Sequence, residues 1–207
     1  MNSFIEKLRN ETKLLHKMAE RSGFNKSIFS GKANKESYCK YLNAKLQIYE
    51  AIEEAVKQNH SNEILSKCFI EGMERSAYIK SDIRKMGFEN LLLEQKYSVV
   101  QSYLYHIQNL LEKSPALLSA HIYTLYLADM AGGGIIKQIL KRQYQFNDDE
   151  LNSYSFEKFP DLKEFISKYH QIIAQFVSEA HIENDFIEES KMSFILSTAL
   201  LIELETD

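Results

Sequence analysis

Two ionisable residues near the start of the chain have the spacing of a metal ligand and its partner. His16 lies at the edge of an apolar stripe with helical periodicity, and Arg9 and Lys13 lie on the polar flank of the same predicted helix. Glu20 follows at i+4, so its carboxylate can hold one imidazole nitrogen and leave the other nitrogen to bind a metal. The alternative is a half-buried histidine with a surface ion pair, an arrangement that needs no ligand.

A carboxylate stands within an otherwise apolar face of a second predicted helix, which also carries a run of glycines. The members of this face are Leu118, Ile122, Leu125, Asp129, Gly132, Gly133, Ile136 and Leu140. A carboxylate there is costly to bury unless it bonds to a partner such as a chain of water. Each glycine in mid-helix costs about 1 kcal/mol relative to alanine. This cost indicates either a kink, with Asp129 capping a broken turn, or a close approach of the backbone to a flat ligand.

The sequence lacks the motifs of several other enzyme classes. No histidine has a glutamate three residues before it, which excludes the Glu-x-x-His pairs of ferritin-like di-iron bundles. Neither a His-Glu-x-x-His zinc motif nor a Gly-x-Ser-x-Gly nucleophile elbow is present. Gly132 and Gly134 begin a dinucleotide fingerprint, but Lys137 takes the place of the third glycine and no strand is predicted before it.

The composition favours long helices as the elements that position these residues. Only 7 glycines and 2 prolines occur in 207 residues, too few turn residues for a β-rich fold. The formal net charge of −4 provides no cationic field that would attract nucleic acid or anionic lipid. We therefore predict an all-α, bundle-like protein with no nucleic-acid partner and no membrane anchor.

Targeting and redox signals are sparse. Cys39 and Cys68 are too few for a disulfide framework or a four-thiolate zinc site. The N-terminal segment already contains a charged residue at Glu6 and has no apolar signal-peptide core. The most apolar late stretch, residues 194–202, is far shorter than the roughly 20 residues that span a bilayer. These features predict a soluble, cytoplasmic protein.

The predicted helices alternate with short connections in a single domain over residues 1–207. Gly23 is placed to stop the first helix, and Pro115 and the Pro160-Asp161 pair are placed to start later ones. A connection with a leucine cluster covers residues 87–96, and residues 147–159 are polar and irregular. After the first helix, the helices are expected at about residues 35–58, 62–86, 97–113, 116–144, 161–181 and 184–204.

Two segments resemble the haem oxygenase family. Residues 8–20, LRNETKLLHKMAE, resemble the proximal helix of that family. Residues 120–133, AHIYTLYLADMAGG, resemble its distal-helix signature Ala-His-x-Tyr-Thr-Arg-Tyr-Leu-Gly-Asp-x-Ser-Gly-Gly. The helix around Tyr49 and the C-terminal residues 186–204 are also similar, so the resemblance covers most of the chain in the same order.

The resemblance implies a haem that lies edge-on between the proximal helix and a glycine-kinked distal helix. His16 would be the axial ligand of the iron, with Glu20 as its hydrogen-bonding partner. Asp129 would order distal water over the iron, and Tyr49 and Tyr123 would line the same pocket. The chemistry implied is O₂- and electron-dependent cleavage of haem b to biliverdin, CO and ferrous iron, with haem as both cofactor and substrate. Electrons would come from an external reductase or ferredoxin.

Further contacts with haem follow from the same resemblance. The backbone of Gly132 and Gly133 would sit against the porphyrin, and Phe194 would contact it. Lys13 would meet a haem propionate. His170 aligns where the family often has an arginine.

Three residues depart from the family pattern. Leu125 replaces the arginine of the signature and removes a charged donor from the distal side. Ala128 replaces a glycine that packs near haem, and Ala131 replaces a serine. We expect Leu125 and Ala128 to shift the distal water network, the haem seating or the meso carbon attacked. Leu125→Arg and Ala128→Gly variants that kept both rate and product isomers would contradict this expectation.

Other functional classes remain open from the residues alone. A haem carrier on the same scaffold would bind haem through His16 without making biliverdin. A thiamine-salvage-type enzyme shares a similar all-α architecture, but the sequence lacks a convincing cysteine nucleophile in a matching motif. A helical interaction module would leave Asp129 and the glycine run unexplained.

Overall fold

The protein is an all-α assembly of nine helices within the part of the chain that the structure describes. The computed structural model describes residues 3–59, 61–93 and 97–205, and no strand occurs among them. This confirms the predicted fold class. The helices are α1 (Ser3–Arg21), α2 (Gly23–Phe29), α3 (Lys35–Gln58), α4 (Glu63–Cys68), α5 (Ser76–Lys85), α6 (Ser98–Lys113), α7 (Leu118–Tyr144), α8 (Leu162–Glu179) and α9 (Glu183–Glu205).

Local capping signals fix several helix ends. Asn34 accepts a hydrogen bond from the backbone N–H of Ser37, whose hydroxyl accepts in return from the N–H of Asn34, so α3 begins with a reciprocal capping box. Asp161 caps α8 in a similar way by accepting from the backbone of Glu164 at 2.9 Å. Such caps contribute about 1 kcal/mol each. The predicted bounds of α3 and α8 are therefore close to those observed.

The helix expected over residues 62–86 is wrong, because the chain forms α4 and α5 with a turn between them. The turn contains Gly72, whose φ of 101° lies in the left-handed region. A Cβ atom there would also lie 2.8 Å from Cδ of Lys158. In the connection predicted over residues 87–96, a short 3₁₀ helix covers Glu89–Leu93, and residues 94–96 lie outside the described residues.

The first predicted helix ends as expected, but a second one follows it directly. α1 stops at Arg21, and the short helix α2 begins at Gly23, where we expected only a connection. The irregular segment 147–159 contains 3₁₀ turns at Asp148–Glu150 and Asn152–Tyr154. Several of its side chains are buried, including Leu151, Tyr154 and Phe156, so this segment belongs to the core.

α9 is the element on which the site is built. It packs against α1, α2 and α7, so the helices that carry His16 and Asp129 both contact it. Phe186 of α9 is fully buried, and its ring meets that of Phe4 of α1 edge-on at 5.9 Å between centroids. Within the described ranges, no helix is both long and apolar enough to cross a membrane.

α7 continues as one helix through Gly132–Gly134, so Asp129 does not cap a broken turn. The two glycines singled out by the sequence have different surroundings. A Cβ on Gly133 would lie 2.6 Å from Cδ1 of Tyr154, whereas a Cβ on Gly132 would meet no atom within 4 Å. Close approach to the buried ring of Tyr154 therefore explains Gly133.

We expect Gly133→Ala and Gly132→Ala to change stability in opposite directions. The first substitution overpacks the contact with Tyr154, whose hydroxyl is tied to that of Tyr38 at 3.1 Å, and should cost about 1–3 kcal/mol. The second should stabilise the protein by up to about 1 kcal/mol, because alanine favours the helix more than glycine. Urea unfolding of both variants measures this difference. Equal free energies of unfolding in the two variants would contradict it.

Candidate functional site

Side chains from α1, α2, α3, α7 and α9 surround a cleft beside Asp129. Its volume of about 140 Å³ is below the roughly 300–1,000 Å³ typical of small-molecule sites. Tyr49, Ala128, Asp129 and Phe194, which the sequence indicated, all line it. The structure therefore brings together residues that are far apart in the chain.

Asp129 is held by two hydrogen-bond donors from α3. Tyr49 Oη donates to Oδ2 at 2.8 Å, and Lys45 Nζ donates to Oδ1 at 2.5 Å. The side chains of Lys45 and Asp129 are each only 12% exposed. Asp129 therefore has the bonded partners that a carboxylate on an apolar face requires.

The protonation states of the two donors follow from their surroundings. Burial by itself would lower the pKa of Lys45, but the charge of Asp129 outweighs it and raises this pKa, so the ammonium stays charged at neutral pH. Burial and the same carboxylate raise the pKa of Tyr49 well above its ordinary value, so its hydroxyl keeps its proton. The cluster thus holds one anionic acceptor between a cation and a neutral hydroxyl.

Lys45 is the residue of this cluster that the sequence analysis missed. Its only signal in the sequence is the spacing to Tyr49, because residues at i and i+4 share one face of α3. Lys45 also changes the effect that we expect of leucine at position 125. We expected Leu125 to remove a charged donor from the distal side, but a lysine from α3 places a cation there.

His16 lies on α1 in a half-exposed position and is not among the residues that line the cleft. Its side chain is 52% exposed, and its Nδ1 is 3.6 Å from Oε1 of Glu20. The ring meets that of Phe194 edge-on, with 5.6 Å between the centroids. With Nδ1 turned toward Glu20, Nε2 is the nitrogen positioned to bind a metal. Lys13 is exposed one turn earlier on the same helix.

Tyr123 does not line the cleft with Tyr49 as the resemblance implied. Positions 123 and 129 point about 120° apart on an α-helix. The ring of Tyr123 instead lies 5.8 Å from that of His170 and 5.9 Å from that of Phe186. His170 and Arg9 line a second cavity of about 310 Å³ next to it.

His170 does not supply the positive charge of the arginine that it replaces. Burial and the nearby guanidinium of Arg9 lower its pKa to about 4, so the imidazole is neutral at pH 7. Burial raises the pKa of Tyr123 above its ordinary value, and the same guanidinium offsets part of this increase. The positive charge at this second cavity therefore comes from Arg9 and from Lys163, which also lines it.

The glycines fit the expected contact with a flat ligand only in part. Neither Gly132 nor Gly133 lines the cleft. The space over Gly132 is open, but the face of Gly133 is filled by Tyr154. The contact of both backbones with a porphyrin stays a prediction, and for Gly133 the ring of Tyr154 occupies the side on which a Cβ would lie.

The comparisons with known proteins identify the family of this chain. A family model described as Heme oxygenase matches residues 2–203. The chain belongs to the haem oxygenase family. Haem oxygenase 1 of Synechocystis sp. is 30% identical over 204 residues, which are 98% of this chain and 85% of the relative. The curated relatives favour this family over the thiamine-salvage class and over an interaction module.

Solved haem oxygenases have the same fold. The structure from Leptospira interrogans has a TM-score of 0.90 at 27% identity and covers 98% of this chain and 100% of its own. Haem oxygenase-1 from Synechocystis sp., solved in complex with haem, has a TM-score of 0.90 at 28% identity and covers 100% of this chain and 93% of its own.

Proposed function

We propose that this protein binds haem b between α1 and α7 and cleaves it to biliverdin, CO and ferrous iron. The observation that carries the proposal is the cleft in which Asp129 is held by Tyr49 and Lys45, on a chain of the haem oxygenase family. The Synechocystis relative solved in complex with haem supports haem as the ligand. O₂ and an external electron donor, either a reductase or a ferredoxin, complete the reaction. A cytoplasmic location stays a prediction.

The residues around the cleft fit a haem in their chemistry. His16 offers a half-exposed imidazole, a common haem ligand, and Phe194 lies beside it with an aromatic edge. Ala128 is exposed on α7, and the space over Gly132 is open. At these two positions α7 therefore presents no bulky side chain to a flat ring. Lys13 and Arg9 are the cations that we assign to the two propionates, with Tyr123 beside Arg9.

In the mechanism that we propose, each residue has one task. Bound haem supplies both the iron that reacts with O₂ and the porphyrin that is cut. Nε2 of His16 ligates the iron, and Glu20 orients the ring through Nδ1. The carboxylate of Asp129 would order water over the distal face, and this water, resupplied from solvent, would deliver the proton. Tyr49 Oη and Lys45 Nζ keep that carboxylate in place, and the ammonium offsets its charge.

The proposal is tested by a haem titration followed by turnover with ascorbate or a ferredoxin reductase system. We expect saturable 1:1 binding with a histidine-ligated spectrum, then loss of the Soret band and growth of the biliverdin band. His16→Ala should abolish the histidine-ligated spectrum, and added imidazole should restore it. His181→Asn removes an exposed histidine elsewhere and serves as the control. A Soret band that stays stable under reductant would favour the haem carrier instead.

Lys45→Met is expected to lower the turnover rate about 10-fold, since a hydrogen bond to a charged group contributes about 1.5–3 kcal/mol. Restoring a cation by a second change, Leu125→Arg, should recover part of the rate. Lys40→Met, which removes a surface ion pair of the same helix, is the matched control. The measurement is single-turnover biliverdin formation at saturating haem, with the haem affinity determined separately. Equal rates for Lys45→Met and Lys40→Met would contradict the role of Lys45.

A further inference from the structure

A cluster of two histidines and a glutamate lies outside the haem cleft. His106 comes from α6, His121 from α7 and Glu189 from α9. The Nε2 atoms of both imidazoles lie 2.6 Å from the same oxygen, Oε1 of Glu189. One ligand atom from each residue lies within 4.8 Å of the other two. Three helices thus direct three ligand atoms to one point.

The three side chains of the cluster differ in how far they are exposed to solvent. The side chain of His121 is fully buried, that of Glu189 is 12% exposed, and that of His106 is 27% exposed. Solvent therefore reaches the cluster from the side of His106. This side provides an entry path for an ion and room for a water as a further ligand.

A further hydrogen bond orients the buried histidine. Tyr103 Oη lies 2.8 Å from Nδ1 of His121 and 3.0 Å from the hydroxyl of Ser193. A partner on the second ring nitrogen is what fixes the orientation of a metal-binding histidine. This contact leaves Nε2 as the nitrogen directed at Glu189.

The chemistry of the three side chains also suits a metal. Two imidazoles and one carboxylate from three helices meet at one point. This is a ligand set that Zn²⁺ and Fe²⁺ bind in proteins.

We propose that His106, His121 and Glu189 form a binding site for a divalent first-row transition metal such as Zn²⁺. The metal takes the place of the protons on Nε2, and each imidazole then carries its one proton on Nδ1, which in His121 donates to Tyr103 Oη; any second proton leaves to solvent. The ligand atoms need only a small outward shift, because bonds of about 2.0–2.2 Å from a common ion separate them more than the present contacts do. The site does not depend on haem, so a failed test of metal binding would not contradict the proposed function.

Calorimetric titration of the full chain with Zn²⁺ tests the proposal, and Co²⁺ absorption spectra report the ligand geometry. We expect one saturable equivalent and visible Co²⁺ bands typical of nitrogen and oxygen ligands. His106→Ala and Glu189→Gln should each weaken binding by at least about 10–100-fold, the loss that removal of even an outer-shell partner causes. Glu189→Gln keeps the size and hydrogen bonding of the side chain, so it separates loss of a ligand from loss of the fold.

Two further histidine variants serve as controls. His16→Ala removes the exposed pair with Glu20, and His181→Asn removes an exposed histidine whose φ of 56° asparagine tolerates. Both should bind Zn²⁺ like the wild type. Tyr103→Phe keeps all three ligands and should weaken binding about 10-fold or more through the orientation of His121. Absence of saturable binding would overturn the proposal, as would binding that survives both ligand variants or is lost in His16→Ala.

Discussion

Asparagine in place of Asp129 is expected to lower the rate of biliverdin formation by about 100-fold or more, while haem still binds. A positioned group that transfers protons contributes about 10²–10⁴-fold to a rate. Asparagine has nearly the same shape and still accepts from Tyr49, but it has no charge to pair with Lys45 or to orient the water that delivers the proton. The effect should therefore appear in the turnover rate rather than in the haem affinity.

The measurement is single-turnover kinetics at saturating haem, with the ferric spectrum recorded first to show that His16 ligation is intact. Asp185→Asn, an exposed acid on α9, is the matched control. Tyr49→Phe should cost less than Asp129→Asn, because the carboxylate and Lys45 both remain. A rate for Asp129→Asn equal to that of the control would show that the cluster has no part in the reaction.

Methionine in place of Arg75 is expected to destabilise the protein by at least about 3 kcal/mol, the lower range for breaking a buried charged network. Arg75 is 1% exposed, and its guanidinium donates to backbone carbonyls of Gly72 at 2.9 Å and Ser155 at 2.7 Å. It also lies 4.1 Å from the ring centroid of Phe156. These bonds join the turn before α5 to the irregular segment that carries Tyr154.

Arg84→Met is the matched control, because Arg84 is exposed on α5, the helix that directly follows Arg75. Urea unfolding should give a clearly lower midpoint for Arg75→Met and little change for Arg84→Met. Glu53 provides an independent check, since its carboxylate accepts from the backbone N–H of Arg75 at 2.7 Å and of Ser76 at 3.1 Å and thereby caps α5. Similar unfolding midpoints for the two arginine variants would contradict the structural role of Arg75.

Much of the helical framework follows from the sequence, because apolar periodicity and caps such as Asn34 and Asp161 act locally. The break at Gly72 does not follow, since its cause is a left-handed turn packed against Lys158 from a distant segment. The resemblance indicates Asp129 and Tyr49, but only the packing of α3 against α7 shows that Lys45 reaches the same carboxylate.

The cluster that we propose as a metal site is also not predictable from the sequence. His106, His121 and Glu189 come from three helices with no regular spacing between them, and only the tertiary packing brings them together.

The small size of the cleft has a thermodynamic consequence for haem. A porphyrin needs more space than the roughly 140 Å³ beside Asp129, so we expect α1 and α7 to move apart when haem binds. The apparent affinity is then the intrinsic affinity reduced by the fraction of molecules that are open. Contacts that hold α1 on α9, such as that between Phe4 and Phe186, oppose opening. Weakening them should tighten haem binding without any contact to haem, at a cost in the stability of the haem-free protein.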